Sequence, residues 1–235
     1  GGGHSQPDNG TFDLYAGGRN LMPDGGSYIY SGDPENRAWF RQTKVHKTLT
    51  LNDQNARYAP KLLYWSPGEQ QDILVVENGS YDRLTHRRAV FFIDKTYFVI
   101  VDEAIGTATG QIGIHFQLAP GNALFNEKNA SVRSDFADGW NVAIQTLPQK
   151  GLKLIKEEGQ VSFVYTVKEP RPAFVYQLEK PTDEGLRFVT VIAPFEGGQA
   201  PDIQVEFPAE PVGSPSVRLK IKEGNETKET GYSIN

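Results

Sequence analysis

From about residue 27 to residue 195 the chain is a near-continuous succession of short segments with period-two apolar alternation, and this constrains the fold more than any other feature. "KTLTLN", "KLLYWS", "DILVVENG", "THRRAVFFI", "YFVIVDE", "QIGIHFQL", "WNVAIQTL", "LKLIKEE", "VSFVYTV", "AFVYQLE" and "RFVTVIAPF" are rich in β-branched and aromatic residues. "SYIYSG" and "RAWFRQT" near the start read the same way. Turn signals such as "SGDPEN", "SPGEQQ", "ENGSYD", "APGNA" and "KPTDEG" separate them. No segment sustains a 3.6-residue apolar stripe over the length of a globular helix. The expectation is an all-β chain folded as a large two-sheet antiparallel β-sandwich. Residues 1–24 read as an entry loop or linker and 25–195 as the main sandwich. In 196–235 prolines and glycines thicken before appended C-terminal strands and a polar tail.

With 235 residues the chain can bury a large core. Its net charge of -5, with no dense Lys/Arg run, argues against nucleic acid as a partner. A local cluster, Arg37, Arg41, Lys44 and Lys47, can still bind an acidic polysaccharide. Cysteine is absent, which excludes disulfides, thiolate catalysis and Cys-ligated metals and is compatible with a periplasmic or secreted location. No apolar run approaches the roughly 18 residues of a membrane helix, so no membrane partner is expected. The start, "GGGHSQPDNG", has neither an initiator Met nor the regions of a signal peptide, and reads as the beginning of a piece of something longer.

Four histidines could carry chemistry: His4, His46, His86 and His115. His4 lies in the glycine-rich start and is set aside. His86 in "THRRAVFF" reads as a partly exposed strand position. In "GIHFQLAP" the alternation puts His115 with Gly113 and Gln117 on the face opposite Ile112, Ile114 and Phe116, either wet or in a polar pocket; a hydrogen-bonded structural histidine is the first reading and a metal ligand the second. In "RQTKVHKTLTL", His46, Thr48 and Thr50 point away from Val45, Leu49 and Leu51. That face suits a groove for an anionic sugar and equally an ordinary solvated surface. There is no phosphate loop, H-E-x-x-H or G-x-S-x-G. Carboxylates abound, but the spatial separation that would make a catalytic pair is not visible in a β sequence. Tyr28, Tyr30, Trp39, Tyr64 and Trp65 could stack on sugars or fill the sandwich.

Taken in order, "GRNLMPDGGSYIYSGD", "RAWFRQTKVHKTLTLN", "DILVVENGSYDRLTHRRAVFFIDKTYFVIVDEA" and "IGIHFQLAP" resemble the β-sandwich half of the heparinase II/III-like polysaccharide lyases, over roughly residues 13–200. The resemblance implies that an N-terminal α/α toroid, outside this chain, packs on the sandwich, and that heparan sulfate-type polysaccharide lies in the cleft between them. It implies β-elimination at a uronic acid, with His46 as the sandwich's proton-transfer residue and an asparagine and a tyrosine supplied by the toroid. Arg37, Arg41, Lys44 and Lys47 become candidates for sulfate or carboxylate contacts. The resemblance also implies a structural divalent metal, with Asp72 and His115 as ligands and Gln70 as a further oxygen. Zinc-bearing relatives place a histidine where this chain has Thr48, so calcium or manganese is expected over zinc. A non-catalytic carbohydrate-binding module and a structural sandwich of a larger enzyme are the alternatives.

Overall fold

The computed structural model describes residues 6–234. In chain order β1 (Leu14–Ala16) and β2 (Arg19–Met22) are followed by α1 (Pro34–Phe40), a 3-10 turn at Thr43–Val45, β3 (Leu49–Leu51), β4 (Pro60–Ser66), β5 (Gln71–Tyr81), β6 (Leu84–Ile93), β7 (Tyr97–Ile105) and β8 (Gly110–Gln117). After them come β9 (Ala123–Asn126), β10 (Ser131–Ser134), β11 (Trp140–Thr146), β12 (Lys153–Glu157), β13 (Gln160–Val164) and β14 (Val167–Pro170). The last are β15 (Ala173–Lys180), β16 (Leu186–Glu196), β17 (Ile203–Val205), β18 (Ser216–Glu223) and β19 (Glu226–Ser233).

The antiparallel sandwich expected from the alternation is present. An eight-stranded sheet runs β4-β5-β6-β7-β16-β11-β10-β9, and a four-stranded sheet runs β12-β15-β8-β3. Leu49, Ile112, Ile114, Phe116, Phe174 and Tyr176 of the smaller sheet share one core with Leu84, Ile100, Ile144, Phe188 and Ile192 of the larger. Tyr176 locks the layers together, its hydroxyl donating across the core to the carbonyls of Ala130 (2.8 Å) and Ile144 (3.2 Å).

The last forty residues build a third layer. On β5, β6 and β7 the residues pointing away from the first core are also apolar, Val75, Phe91, Val99 and Val101 among them. They are covered by Ile203, Val217, Leu219, Ile221 and Tyr232 of the sheet β17-β18-β19. Strands buried on both faces read as near-continuous apolar runs, which is what "AVFFI" and "YFVIV" are.

Two segments expected to be strands are not. "SYIYSG" is irregular, and most of "RAWFRQT" belongs to α1. The aromatic and β-type residues there are outweighed by a helix-start signal just upstream. Asp33 caps the helix by accepting from the Asn36 N–H at 3.0 Å, and Pro34 follows in the first turn. Phe40 alone of the helix is fully buried, stacked on Tyr28 at 5.4 Å. Conversely, the first 24 residues, expected as a loop, contain the β1–β2 hairpin.

The inner face of the eight-stranded sheet also holds a buried ionic group. Arg88 on β6 and Asp102 on β7 are directly opposite in register. The guanidinium meets both carboxylate oxygens, at 2.7 and 3.0 Å, and donates onward to the carbonyls of Gly10 (2.6 Å) and Lys47 (2.5 Å). His86 donates from Nε2 to the same carboxylate at 2.6 Å. The expectation of a partly exposed His86 is therefore corrected, since it is 3% exposed. Its position faces the core, and a carboxylate partner makes burial of its ring tolerable.

Burial alone would raise the Asp102 pKa, but the charge of Arg88 and the bond from His86 hold it down at about 2. Burial moves His86 below its ordinary 6.5 despite Asp102. Both groups bind protons more weakly folded than unfolded, so both lower stability as the pH falls. The His86 contribution declines once the pH drops below 6.5. The Asp102 contribution, about 2 kcal/mol from the size of its shift, is complete above the ordinary 3.8 and lost towards 2. Urea midpoints of the sandwich measured between pH 7 and pH 3 should fall in both windows, and Asp102→Asn should flatten the acid one.

Candidate functional site

Asp24 lies in the loop between β2 and α1, where one carboxylate oxygen accepts from the Gly26 N–H at 2.8 Å. The other lies 3.1 Å from Nδ1 of His46. Burial works to raise the Asp24 carboxyl, but the His46 bond and charge, with the Gly26 N–H, outweigh it and hold the pKa well below the carboxylate range. An ionised carboxylate only accepts, so Nδ1 carries the proton. His46 is 0% exposed, and its Nε2 has no hydrogen-bond partner among the described residues.

Two buried cations converge on the preceding carbonyl. Pro23 O accepts from Lys47 Nζ at 3.0 Å and from Arg171 Nη1 at 2.6 Å. Lys47 also lies 3.7 Å from Asp13, and burial with Arg171 nearby draws its ammonium down to about 8. Burial likewise lowers Arg171, to about 10, against the opposing pull of Asp24 and Asp13. Arg171 Nε and Nη2 are buried without a partner among the described residues. Gly26 completes the fit at φ +74°, because a Cβ there would stand 2.3 Å from Ser162 O.

This geometry corrects the reading of residues 45–51 as a half-wet strand, since all seven are buried. Thr48 donates to the Asn9 carbonyl at 2.7 Å, so the N-terminal segment covers the face expected to be open. His46 is fully enclosed in this conformation, with its Nε2 turned inward. Lys47 is likewise corrected from a substrate contact to an internal tie. Arg37 and Arg41 do share a groove with Pro7, Pro34, Ala38 and Asn55. Arg37 donates to the Ile29 carbonyl at 2.9 Å and lies over the Tyr30 ring. Lys44 is partly exposed, 3.8 Å from Asp53.

The proposed metal ligands are not brought together. Asp72, on β5 of the eight-stranded sheet, pairs with Lys95 at 2.6 Å and accepts from the Gly68 N–H. Gln70 is exposed before the same strand. His115, on β8 of the other sheet, is fully buried, with Nδ1 2.7 Å from Glu157 and Nε2 2.8 Å from the Thr50 hydroxyl. Glu157 fixes the proton on Nδ1, and Thr50 donates to Nε2. Asp24 and His46 offer two donors suited to a cation, but among the described residues no group of three His, Asp or Glu is placed to hold one. Asp72, Gln70 and His115, as placed, do not fit the expected metal.

Of the five aromatics, Tyr30 and Trp65 remain exposed, whereas Tyr64 packs against Tyr232 and Tyr28 and Trp39 against Phe40. Sequence reasoning missed Asp24 as the partner of His46, and it missed Arg171 and Glu157 altogether. The only signal for Asp24 was a carboxylate in the turn "PDGG"; Glu157 in "LKLIKEE" resembles any solvated strand residue. His4 lies outside the described residues.

Residues 1–206 match the family Heparinase II/III-like, C-terminal. The chain is 42% identical over 207 residues to the heparin-sulfate lyase of Pedobacter heparinus, covering 86% of this chain and 31% of that protein. It is 36% identical over 236 residues to the heparin-sulfate lyase of Bacteroides stercoris, covering 98% of this chain and 35% of that protein. Among solved structures, the heparan sulfate lyase of Pedobacter heparinus superposes with a TM-score of 0.93 at 37% identity, over 99% of this chain and 37% of that one. A heparinase III structure superposes with a TM-score of 0.92 at 34% identity, over 98% and 36%. The chain thus spans about a third of the length of these relatives. On sequence and on three-dimensional structure alike, it belongs to the heparinase II/III-like family, as a C-terminal β-sandwich of that family.

Proposed function

We propose that this chain is the β-sandwich portion of a lyase that cleaves heparan sulfate-type glycosaminoglycan by β-elimination, the site being completed by an N-terminal α/α toroid. The observation that carries this reading is similarity over 98–99% of the chain, at 34–37% identity, to a heparan sulfate lyase and a heparinase III of known structure. An extracellular or periplasmic location accords with a polymeric polyanion that does not cross a membrane.

In the elimination, a base takes the C5 proton of the uronate. The C5–H electrons form the C4=C5 double bond as the C4–O bond breaks, and the departing oxygen takes a proton from an acid. A positive group at the uronate carboxylate stabilises the carbanionic transition state. Arg37 and Arg41, which share one groove, are assigned to anionic groups of the polymer, as is the partly exposed Lys44. The described histidines are all buried and each is bonded to a carboxylate. By elimination among the histidines of this chain, we assign proton transfer to His4.

The masses of the products formed by the full-length enzyme from heparan sulfate test the reaction class. Elimination yields fragments whose masses sum to that of the substrate. Fragments that together carry one extra water would identify a hydrolase and overturn the reading.

A further inference from the structure

The hairpin β13–β14 stands apart from both large sheets as a two-stranded unit of its own. Its tip places Phe163, Val164, Tyr165 and Val167 in solvent, each between 56% and 62% exposed. Tyr30, 48% exposed, extends the patch by stacking on Tyr165 at 6.2 Å. The base of the hairpin is packed, with Val161 fully buried, so the exposure is confined to its tip, and a cluster of exposed apolar side chains of this kind marks a surface that is covered in use. Thr166 at the turn adopts φ +64°, costly for a β-branched residue, and its N–H donates to the Tyr28 carbonyl at 2.8 Å.

We propose that this hairpin is the docking surface for the N-terminal portion of the same enzyme. The inference rests on the reading above that such a portion completes the molecule. About two thirds of the relatives' length lies outside this chain, so a large partner surface is at hand. The chemistry of the tip selects protein over polysaccharide. Val164 and Val167 offer aliphatic surface rather than stacking faces. The charges along "QVSFVYTVKEP", Lys168 and Glu169, cancel, and Lys168 is already 2.5 Å from the Asn36 side chain. A polyanion would find no surplus of cations there.

Docking would also bear on the site. The Ser162 N–H donates to the Gly25 carbonyl at 2.9 Å, and Thr166 holds Tyr28. The hairpin therefore grips the Asp24 loop on both sides of Gly26. A partner seated on it fixes that loop as well as its own position.

The test is thiol footprinting of the full-length enzyme. This chain has no cysteine, so single thiols report locally and are read by mass spectrometry of the labelled peptide. Val164→Cys should alkylate at least about tenfold more slowly than Glu226→Cys, which lies on the exposed C-terminal hairpin beyond the family match. Glu169→Cys leaves the apolar side chains in place and should be protected too. Labelling of both hairpin thiols at the Glu226→Cys rate would overturn the proposal. So would protection that appears only on adding heparan sulfate, which would make the tip a glycan surface. Labelling needs no turnover, so an enzyme that proves not to be a lyase leaves this test standing.

Discussion

Arg88→Met should destabilise the sandwich by about 3–5 kcal/mol, the cost of stranding one member of a buried ion pair. The methionine fills similar volume, so the loss comes from charge and hydrogen bonding rather than from a cavity. Without the guanidinium, Asp102 at 0% exposure keeps, among the described residues, the bond from His86 alone, and the carbonyls of Gly10 and Lys47 lose the Arg88 donor. Adding Asp102→Asn to Arg88→Met should recover part of the loss, because no ionised carboxylate is then left buried. Urea unfolding of the four members of this cycle gives the coupling directly. A loss below about 1 kcal/mol in the single variant, the range of exposed pairs, would show that the group is dispensable.

The histidines should separate by phenotype. His46→Ala removes the donor to the buried side of Asp24 and should cost about 1–3 kcal/mol of stability, with turnover falling as the loop loosens. His4→Ala should lower the turnover of the folded enzyme by about 10²–10⁴, the usual contribution of a general acid or base. Melting curves and rates on the same full-length preparations decide the matter. If His46→Ala abolishes turnover at an unchanged melting temperature, His46 reaches the substrate and the roles assigned here are reversed.

The sandwich was legible because strand alternation is a local property, written into "DILVVENG" and "YFVIVDE" themselves. The third layer was foreshadowed by runs such as "AVFFI", apolar on both faces, but alternation does not say what covers the second face. α1 was misread because aromatic residues favour strands on average, whereas an Asp-Pro start governs this segment locally. The site was far less legible. The strand reading placed His46 on a wet face because it could not foresee the N-terminal segment folding back through Asn9 and Thr48. Nor does spacing reveal that Lys47 and Arg171, far apart in sequence, meet at one carbonyl. Spacing is equally silent on Asp72 and His115 standing on different sheets with other partners. The resemblance found the family but did not identify the neighbours of each side chain.

We propose for this sandwich a part in β-elimination on a glycosaminoglycan. Its most direct test is the ultraviolet absorbance of the unsaturated uronate, followed as the full-length enzyme acts on heparan sulfate. The expected result is a steady rise that is lost in His4→Ala and tracks the folded fraction in His46→Ala. An intact enzyme that binds the polymer and produces no absorbance would contradict it and would make the sandwich part of a binding protein.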